Sequence, residues 1–138
     1  MLGERLGEEH GKVTTRRVLE GTDYRYVKME IGFETTVSIL GMKGANMGTY
    51  TVFERVPGQL YGEGQGILLV ESGESAIWKG HGIGTSTGNG MGMKFAASVA
   101  FQAQTNGKLA RLNNVLVLVE HVAEGDGSAR STLYEWKV

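Results

Sequence analysis

Apolar and polar side chains alternate with a period of two residues along most of the chain. The clearest run extends from Arg25 to Ile39, where odd positions are mostly apolar and even positions mostly polar. Such alternation is typical of a β-strand with one buried face. The same pattern predicts further strands over residues 10–20, 46–55, 59–70, 75–85, 90–104, 113–123 and 129–137, about eight in all.

Turn residues separate these segments. They are Pro57-Gly58, residues 71–74, residues 88–90, Asn106-Gly107 and residues 125–127, and only Lys108–Leu112 predicts a helical turn. Short hairpin links predict an antiparallel sheet, and eight such strands close into an up-and-down β-barrel without free edges. A β-sandwich is the alternative. We expect one domain over residues 1–138, with residues 1–9 as a loosely ordered N-terminal segment.

Composition restricts the classes of function. The 138 residues include 22 glycines, one proline and no cysteine, and the formal net charge is −1. Disulfides and thiolate metal sites are therefore excluded. Because no basic face or lysine run is present, we expect neither nucleic acid nor a membrane as partner. The N-terminal residues have no apolar run of signal-peptide length, and we expect a cytoplasmic protein.

Glycine occupies alternate positions in the hairpin YGEGQGILLVESGESAIWKGHGIG, residues 61–84. A turn centred on Gly73 would pair the glycines of the two strands and place Glu63, Gln65 and His81 together on the opposite face. A two-residue turn at Pro57-Gly58 would add Tyr50 beside Gln65 and Glu54 beside Tyr61 to that face. A phosphate-binding loop is not predicted, because no helix follows the glycines.

Two orientations of this hairpin are open. In the first, the glycine face bends tightly or meets another subunit, and the polar face lines the interior. In the second orientation, the glycine face lies inside the barrel and leaves space there, and Glu63, Gln65 and His81 face the solvent. The first makes Glu63 and His81 candidate catalytic acid–base residues, with Tyr50, Glu54, Tyr61 and Gln65 as candidate ligand-binding residues. A packed structural role is the alternative for His81.

Other histidine positions predict little further chemistry. No H-x-H or H-E-x-x-H spacing occurs, so we expect no metal, and no motif indicates another cofactor. Of Glu120 and His121, only one can point inward, because neighbours on a strand face opposite ways. His10 lies in a charged stretch and is expected to be solvated.

The segment 114–119 is apolar on both faces. A strand with two apolar faces needs a cover on its outer side, and a second subunit is the simplest cover. The sequence therefore predicts a homo-oligomer. The alternative is a dense core covered by the N-terminal segment.

Four stretches resemble a group of uncharacterised bacterial proteins with the allene oxide cyclase-like barrel fold. They are residues 48–66 (GTYTVFERVPGQLYGEGQG), residues 78–84 (WKGHGIG), residues 112–114 (LNN) and residues 134–136 (YEW). The resemblance covers most of residues 10–137 and implies an eight-stranded antiparallel barrel that forms oligomers. Its motifs are structural, so it assigns no catalytic residue to this chain.

These observations lead to two hypotheses about function. The first is a barrel that binds a small hydrophobic or amphipathic molecule, with cofactor-independent isomerase or cyclase activity left open. The second is a non-catalytic homo-oligomeric scaffold or interaction module with a packed core.

Overall fold

Eight β-strands follow one another along the chain, and each pairs antiparallel with its sequence neighbours in the computed structural model. The structure describes residues 1–21 and 27–137. The strands are β1 (Leu2–Leu19), β2 (Lys28–Ile39), β3 (Met42–Val56), β4 (Gln59–Val70), β5 (Ser75–Ser86), β6 (Met93–Ala103), β7 (Leu116–Ala123) and β8 (Ser128–Trp136). Because β1 also pairs with β8, the sheet closes into a barrel. The predicted up-and-down barrel is confirmed, and the sandwich alternative is wrong.

The structure differs from the sequence predictions at the N-terminal segment and at the helical turn before β7. Residues 2–9, expected to be loosely ordered, belong to β1, because they pair with β8 from Leu2 opposite Trp136 onward. The N-terminal ammonium of Met1 donates to the Lys137 carbonyl at 2.7 Å. A 3-10 helix spans Ala110–Asn114, slightly later than the predicted helical turn, so β7 begins only at Leu116. Arg25, the start of the predicted alternating strand, lies outside the described residues.

One turn carries no sequence signal of the usual kind. Leu40 and Gly41 join β2 to β3 with φ angles of 51° and 77°. Two residues with positive φ form the tight turn that suits the twist of a hairpin. Leucine is an uncommon residue there, so the sequence pattern did not reveal that β3 starts at Met42 rather than at residue 46.

The core lies inside the barrel and forms two apolar clusters. The larger one includes Leu68, Val99 and Val117, and the smaller one surrounds Ile31 and Phe95. The 3-10 helix contributes Leu112, which is fully buried, so this helix covers one end of the barrel core. No helix in the described part of the chain is long and apolar enough to cross a membrane.

Candidate functional site

The inner face of β4 and β5 is the glycine face. Gly62 and Gly64 are buried and continue into buried Leu68, whereas Glu63 and Gln65 between them are exposed. His81 is exposed on β5 as well. The prediction that Glu63, Gln65 and His81 line the interior is therefore wrong, and the solvated orientation is correct.

The register of this hairpin differs from the predicted one by a single pair. Glu63 pairs with His81 and Gly64 with Gly80, whereas the predicted turn paired Gln65 with His81. The observed pairing is centred on Ser72, because the Val70 N–H donates to the Glu74 carbonyl at 3.0 Å. Such a shift preserves the faces, because side chains alternate strictly along a strand.

A β-bulge reverses the predicted faces of β3. Val56 pairs with Gln59 across the Pro57-Gly58 turn, as predicted, but the register then shifts and Glu54 pairs with Leu60. The bulge inserts one residue, Arg55, into β3, so the side chains that precede it on this strand face the opposite way from the prediction. Tyr50 therefore pairs with Gly64 on the inner face instead of with Gln65.

The remaining predicted site residues lie at the rim and on the outer face. The Glu54 carboxylate accepts from the Gly58 N–H at 2.7 Å, so it stabilises the β3–β4 turn. Tyr61 is half-buried outside, where its ring meets that of His81 edge-on with centroids 6.3 Å apart. The Arg55 guanidinium lies 4.5 Å from the Tyr61 ring centroid. Ligand contacts by these residues stay a prediction.

The inner glycines make room for aromatic rings. A Cβ on Gly48 would lie 2.6 Å from the Phe33 ring, and one on Gly64 would lie 2.7 Å from the Tyr50 Cβ. A Cβ on Gly66 would overlap the Trp78 ring. Because an eight-stranded barrel has a narrow interior filled by side chains, rings fit here only where the opposing wall has no side chain.

A cavity of about 100 Å³ remains between these rings. Its lining is mostly aromatic and small apolar, with a few polar side chains. The residues that contribute inward side chains include Glu9, Phe33, Asn46, Tyr50, Trp78, Phe95, Ala97, Phe101, Val119, His121 and Ser131. Glu63 and His81 also border it, since between the glycines only main chain separates the cavity from the outer face.

Two polar atoms at this cavity are buried without a hydrogen-bond partner among the described residues: the Tyr50 hydroxyl and His121 Nε2. The two rings meet edge-on, with centroids 5.8 Å apart. The other nitrogen of His121, Nδ1, lies 2.8 Å from the Ser131 hydroxyl, which fixes the ring. Buried polar atoms normally find a partner, so these two are suited to meet a bound molecule.

Burial keeps both groups neutral near pH 7. Desolvation lowers the pKa of His121 to about 4, because the imidazolium is disfavoured away from water. Desolvation also raises the pKa of Tyr50 far above its ordinary value, and the more distant positive charge of Arg16 offsets this only in part. The pair therefore presents a phenol hydroxyl and a neutral imidazole to the cavity.

A buried carboxylate lies at the same cavity. Glu9 is 4% exposed, and its Oε2 accepts from the Thr35 hydroxyl at 3.1 Å and from Asn46 Nδ2 at 2.9 Å. The Asn46 Oδ1 in turn accepts from Trp78 Nε1 at 2.8 Å. These hydrogen bonds fix the carboxylate and the indole ring in place. Glu9 on β1 and His121 on β7 both pair with Ser131 on β8, so the three form one inner row.

In the stretches 1–21 and 27–137, no three His, Asp or Glu side chains lie close enough together to hold a metal ion. His10 is exposed, as predicted.

The sequence prediction missed Glu9, Asn46, His121 and Ser131. A usable signal existed for His121, because Val117, Val119 and His121 share one face of β7 and the first of them is fully buried. Of the Glu120–His121 pair, His121 is the inward residue. Glu9 had no such signal, because bulges in β1 interrupt its alternation.

Comparison with known proteins shows the fold alone. No family model and no curated protein matches the chain. A protein of unknown function from Clostridium acetobutylicum superposes with a TM-score of 0.80 at 13% identity, over 97% of this chain and 98% of that one. A β-barrel like protein from Acinetobacter baumannii gives a TM-score of 0.80 at 14% identity, over 99% and 96%.

A third solved structure agrees with these two. A conserved protein of unknown function from Rhodopseudomonas palustris gives a TM-score of 0.78 at 12% identity, over 98% of this chain and 97% of that one. The expected similarity to uncharacterised bacterial barrel proteins is thus confirmed. The narrower resemblance to allene oxide cyclase-like barrels stays a prediction.

Proposed function

We propose that the barrel binds a small amphipathic molecule in its interior. The observation that carries the proposal is the pair of unpartnered polar atoms, Tyr50 Oη and His121 Nε2, at an aromatic cavity of about 100 Å³. Pockets for small molecules typically combine an apolar wall with a few polar groups that orient the ligand. An engineered apolar cavity of about 150 Å³ holds benzene, so this one suits a molecule of somewhat smaller size.

The proposed activity is binding without proton-transfer catalysis. Catalytic acids and bases work best when their pKa values lie near the working pH. Burial shifts both groups the wrong way, since it lowers the pKa of His121 to about 4 and raises that of Tyr50. His121 is thereby a weak base and Tyr50 a weak acid, which counts against the isomerase or cyclase activity left open by the sequence.

A cavity-filling substitution tests this proposal. Ala97 lines the cavity from β6, and Ala97→Leu should abolish the increase in Tm that small amphipathic fragments cause in the unchanged protein. Ala100→Leu is the matched control, because Ala100 is exposed on the same strand. Fragments that stabilise the Ala97→Leu variant as strongly as the unchanged protein would contradict an interior site.

We also propose that the barrel self-associates through the outer face of β7, β8 and β1. Leu2, Leu116 and Trp136 adjoin across these strands and are 53%, 44% and 42% exposed. This patch borders an open groove of about 570 Å³ that includes Leu118 and Tyr134. The inner side of β7 is packed at Val117, so the strand does carry apolar residues on both faces.

Local charge favours a second copy of this chain as the occupant. Beside the patch, the Arg111 guanidinium contacts the Glu4 and Glu135 carboxylates at 2.9 and 3.0 Å. In a two-fold interface a patch meets itself, so an apolar surface with locally paired charges avoids like-charge repulsion.

Sedimentation of the unchanged protein and of two variants tests self-association. Leu116→Lys should convert the oligomer to a monomer, whereas Met47→Lys should not, because Met47 is 41% exposed on β3, on the opposite side of the closed barrel from β7. A monomer at high concentration for the unchanged protein would contradict the proposal.

A further inference from the structure

The charge pattern of the cavity narrows the class of ligand. Resting on the proposed interior binding site, we infer that the barrel selects a small organic cation, an alkylammonium ion, over neutral and anionic molecules of equal size. The inference depends on three features of the described residues: a buried carboxylate, a surrounding group of aromatic rings and a surplus of hydrogen-bond acceptors.

The buried carboxylate lacks a cationic partner in the described part of the chain. Glu9 is 4% exposed, and its described hydrogen bonds come from two neutral groups, Thr35 and Asn46. No lysine or arginine occurs among the described residues that line the cavity. A buried charge is costly unless it is paired, so a cationic ligand would supply the missing partner.

Aromatic rings surround the same space. Phe33 lies at the centre of the group, with ring centroids 6.0 Å from Tyr50, 6.2 Å from Trp78 and 5.6 Å from His121. Phe95 adjoins Tyr50 at 5.9 Å. The faces of aromatic rings carry partial negative charge and attract cations within about 6 Å, most strongly in sites without water.

Acceptors outnumber free donors at the cavity. The indole N–H of Trp78, one N–H of the Asn46 amide and the hydroxyl of Thr35 are already used within the network around Glu9. In the tautomer whose Nδ1–H donates to the Ser131 hydroxyl, His121 Nε2 is an acceptor. The Tyr50 hydroxyl can accept as well as donate, and the Glu9 carboxylate only accepts. An ammonium group has only donors, so it complements this set, whereas a carboxylate ligand would meet Glu9 and acceptor atoms.

Three probes with the same number of non-hydrogen atoms separate charge from size. Isopropylammonium, 2-propanol and acetate each have four, which suits a cavity smaller than the roughly 150 Å³ that holds benzene. At constant ionic strength and pH 7, we expect isopropylammonium to raise Tm and to bind at least tenfold more tightly than 2-propanol. We expect no binding of acetate.

Two substitutions test the source of the preference. Glu9→Gln removes the charge with little change in shape, so it should reduce isopropylammonium affinity about tenfold and leave 2-propanol affinity unchanged. Glu34→Gln is the control and should change neither affinity, because Glu34 is exposed on the outer face of β2 and does not line the cavity. Phe95→Leu removes one aromatic ring and should weaken isopropylammonium binding about threefold. This variant tests the cation preference if the Glu9 variant does not fold.

The outcomes distinguish this inference from the proposed function on which it rests. Equal or tighter binding of 2-propanol in the unchanged protein would overturn the cation preference but support an interior site. Unchanged isopropylammonium affinity after Glu9→Gln or, if that variant does not fold, after Phe95→Leu would also overturn the inference. Absence of binding by all three probes would contradict both the inference and the interior site.

Discussion

The inner and outer faces of β4 and β5 differ sharply in their side chains. Inside, Gly62, Gly64 and Gly80 present bare main chain to aromatic rings and a cavity. Outside, Glu63 and His81 stand opposite each other on exposed surface. The polar face has the residue types of an active site, yet the face without side chains borders the candidate site. In a narrow barrel, missing side chains can therefore be a stronger sign of a binding site than polar residues.

The largest expected effect comes from filling the inner face. Gly66→Ala would place a Cβ against the Trp78 ring and the Met47 carbonyl oxygen, and the carbonyl cannot move without the strand. We expect a loss of stability at or above the upper end of the roughly 1–3 kcal/mol typical of overpacking. Urea unfolding measures it.

The adjacent outer position is the control for that substitution. Gln65→Ala should change stability by less than about 0.5 kcal/mol, because its side chain is exposed. Equal effects at Gly66 and Gln65 would contradict the assignment of inner and outer faces.

His121 should make stability depend on pH. Its pKa is about 4 in the folded protein and ordinarily 6.5, so between these values the unfolded chain binds a proton that the folded chain does not. Stability therefore falls as the pH drops from 7 to 4, by roughly 3 kcal/mol from this group.

A pair of histidine substitutions isolates that dependence. Urea unfolding of His121→Gln at several pH values should show a smaller loss of stability on acidification than the unchanged protein. His81→Gln, at an exposed position on the outer face, should leave the dependence as it was. The reverse result would show that the outer histidine is the linked one.

Tyr50→Phe should separate stability from binding. Without ligand, the variant loses only a hydroxyl that has no partner among the described residues, so its stability should stay equal or rise by about 1 kcal/mol. Binding of an amphipathic fragment should weaken at the same time, as calorimetry would show. A large loss of stability in the ligand-free variant would indicate that the hydroxyl has a structural partner.

The smallest effect is expected outside the barrel. The double substitution Glu63→Gln with His81→Gln should change both stability and fragment affinity by less than about 0.5 kcal/mol, because both side chains are exposed. Thermal unfolding with and without fragment measures both. Loss of fragment binding in this variant would indicate that the fragment binds on the outer face.

The alternating pattern was sufficient for the fold, because a period of two and short turns recur along most of the chain. It did not identify the inner face of β3. One inserted residue, Arg55, reverses the side chains of β3 that precede it, and its residue type does not indicate a bulge. The resulting reversal separated Tyr50 from the glycines in the predicted arrangement.

The orientation of β4 could have been read further along the strand. Leu68 and Val70 lie on the same face of β4 as the glycines and are buried in the core. The glycine face must therefore also point into the barrel. The network of Glu9 with Thr35 and Asn46 was not accessible in this way. It depends on side chains from three strands, β1, β2 and β3, and on the bulged register of β1.

The closing seam between β1 and β8 has a consequence for the order of folding. Every other strand pair joins sequence neighbours and can form as a local hairpin, whereas this pair brings residues 2–12 against residues 128–136. Closing so long a loop is entropically costly and should be slow. Glu9 and Ser131 face each other across that seam, so the complete binding site forms only at closure. A ligand should therefore slow unfolding more than it speeds folding, because it binds only the closed barrel. It should also lower the population of open forms, whose two unpaired strand edges favour aggregation.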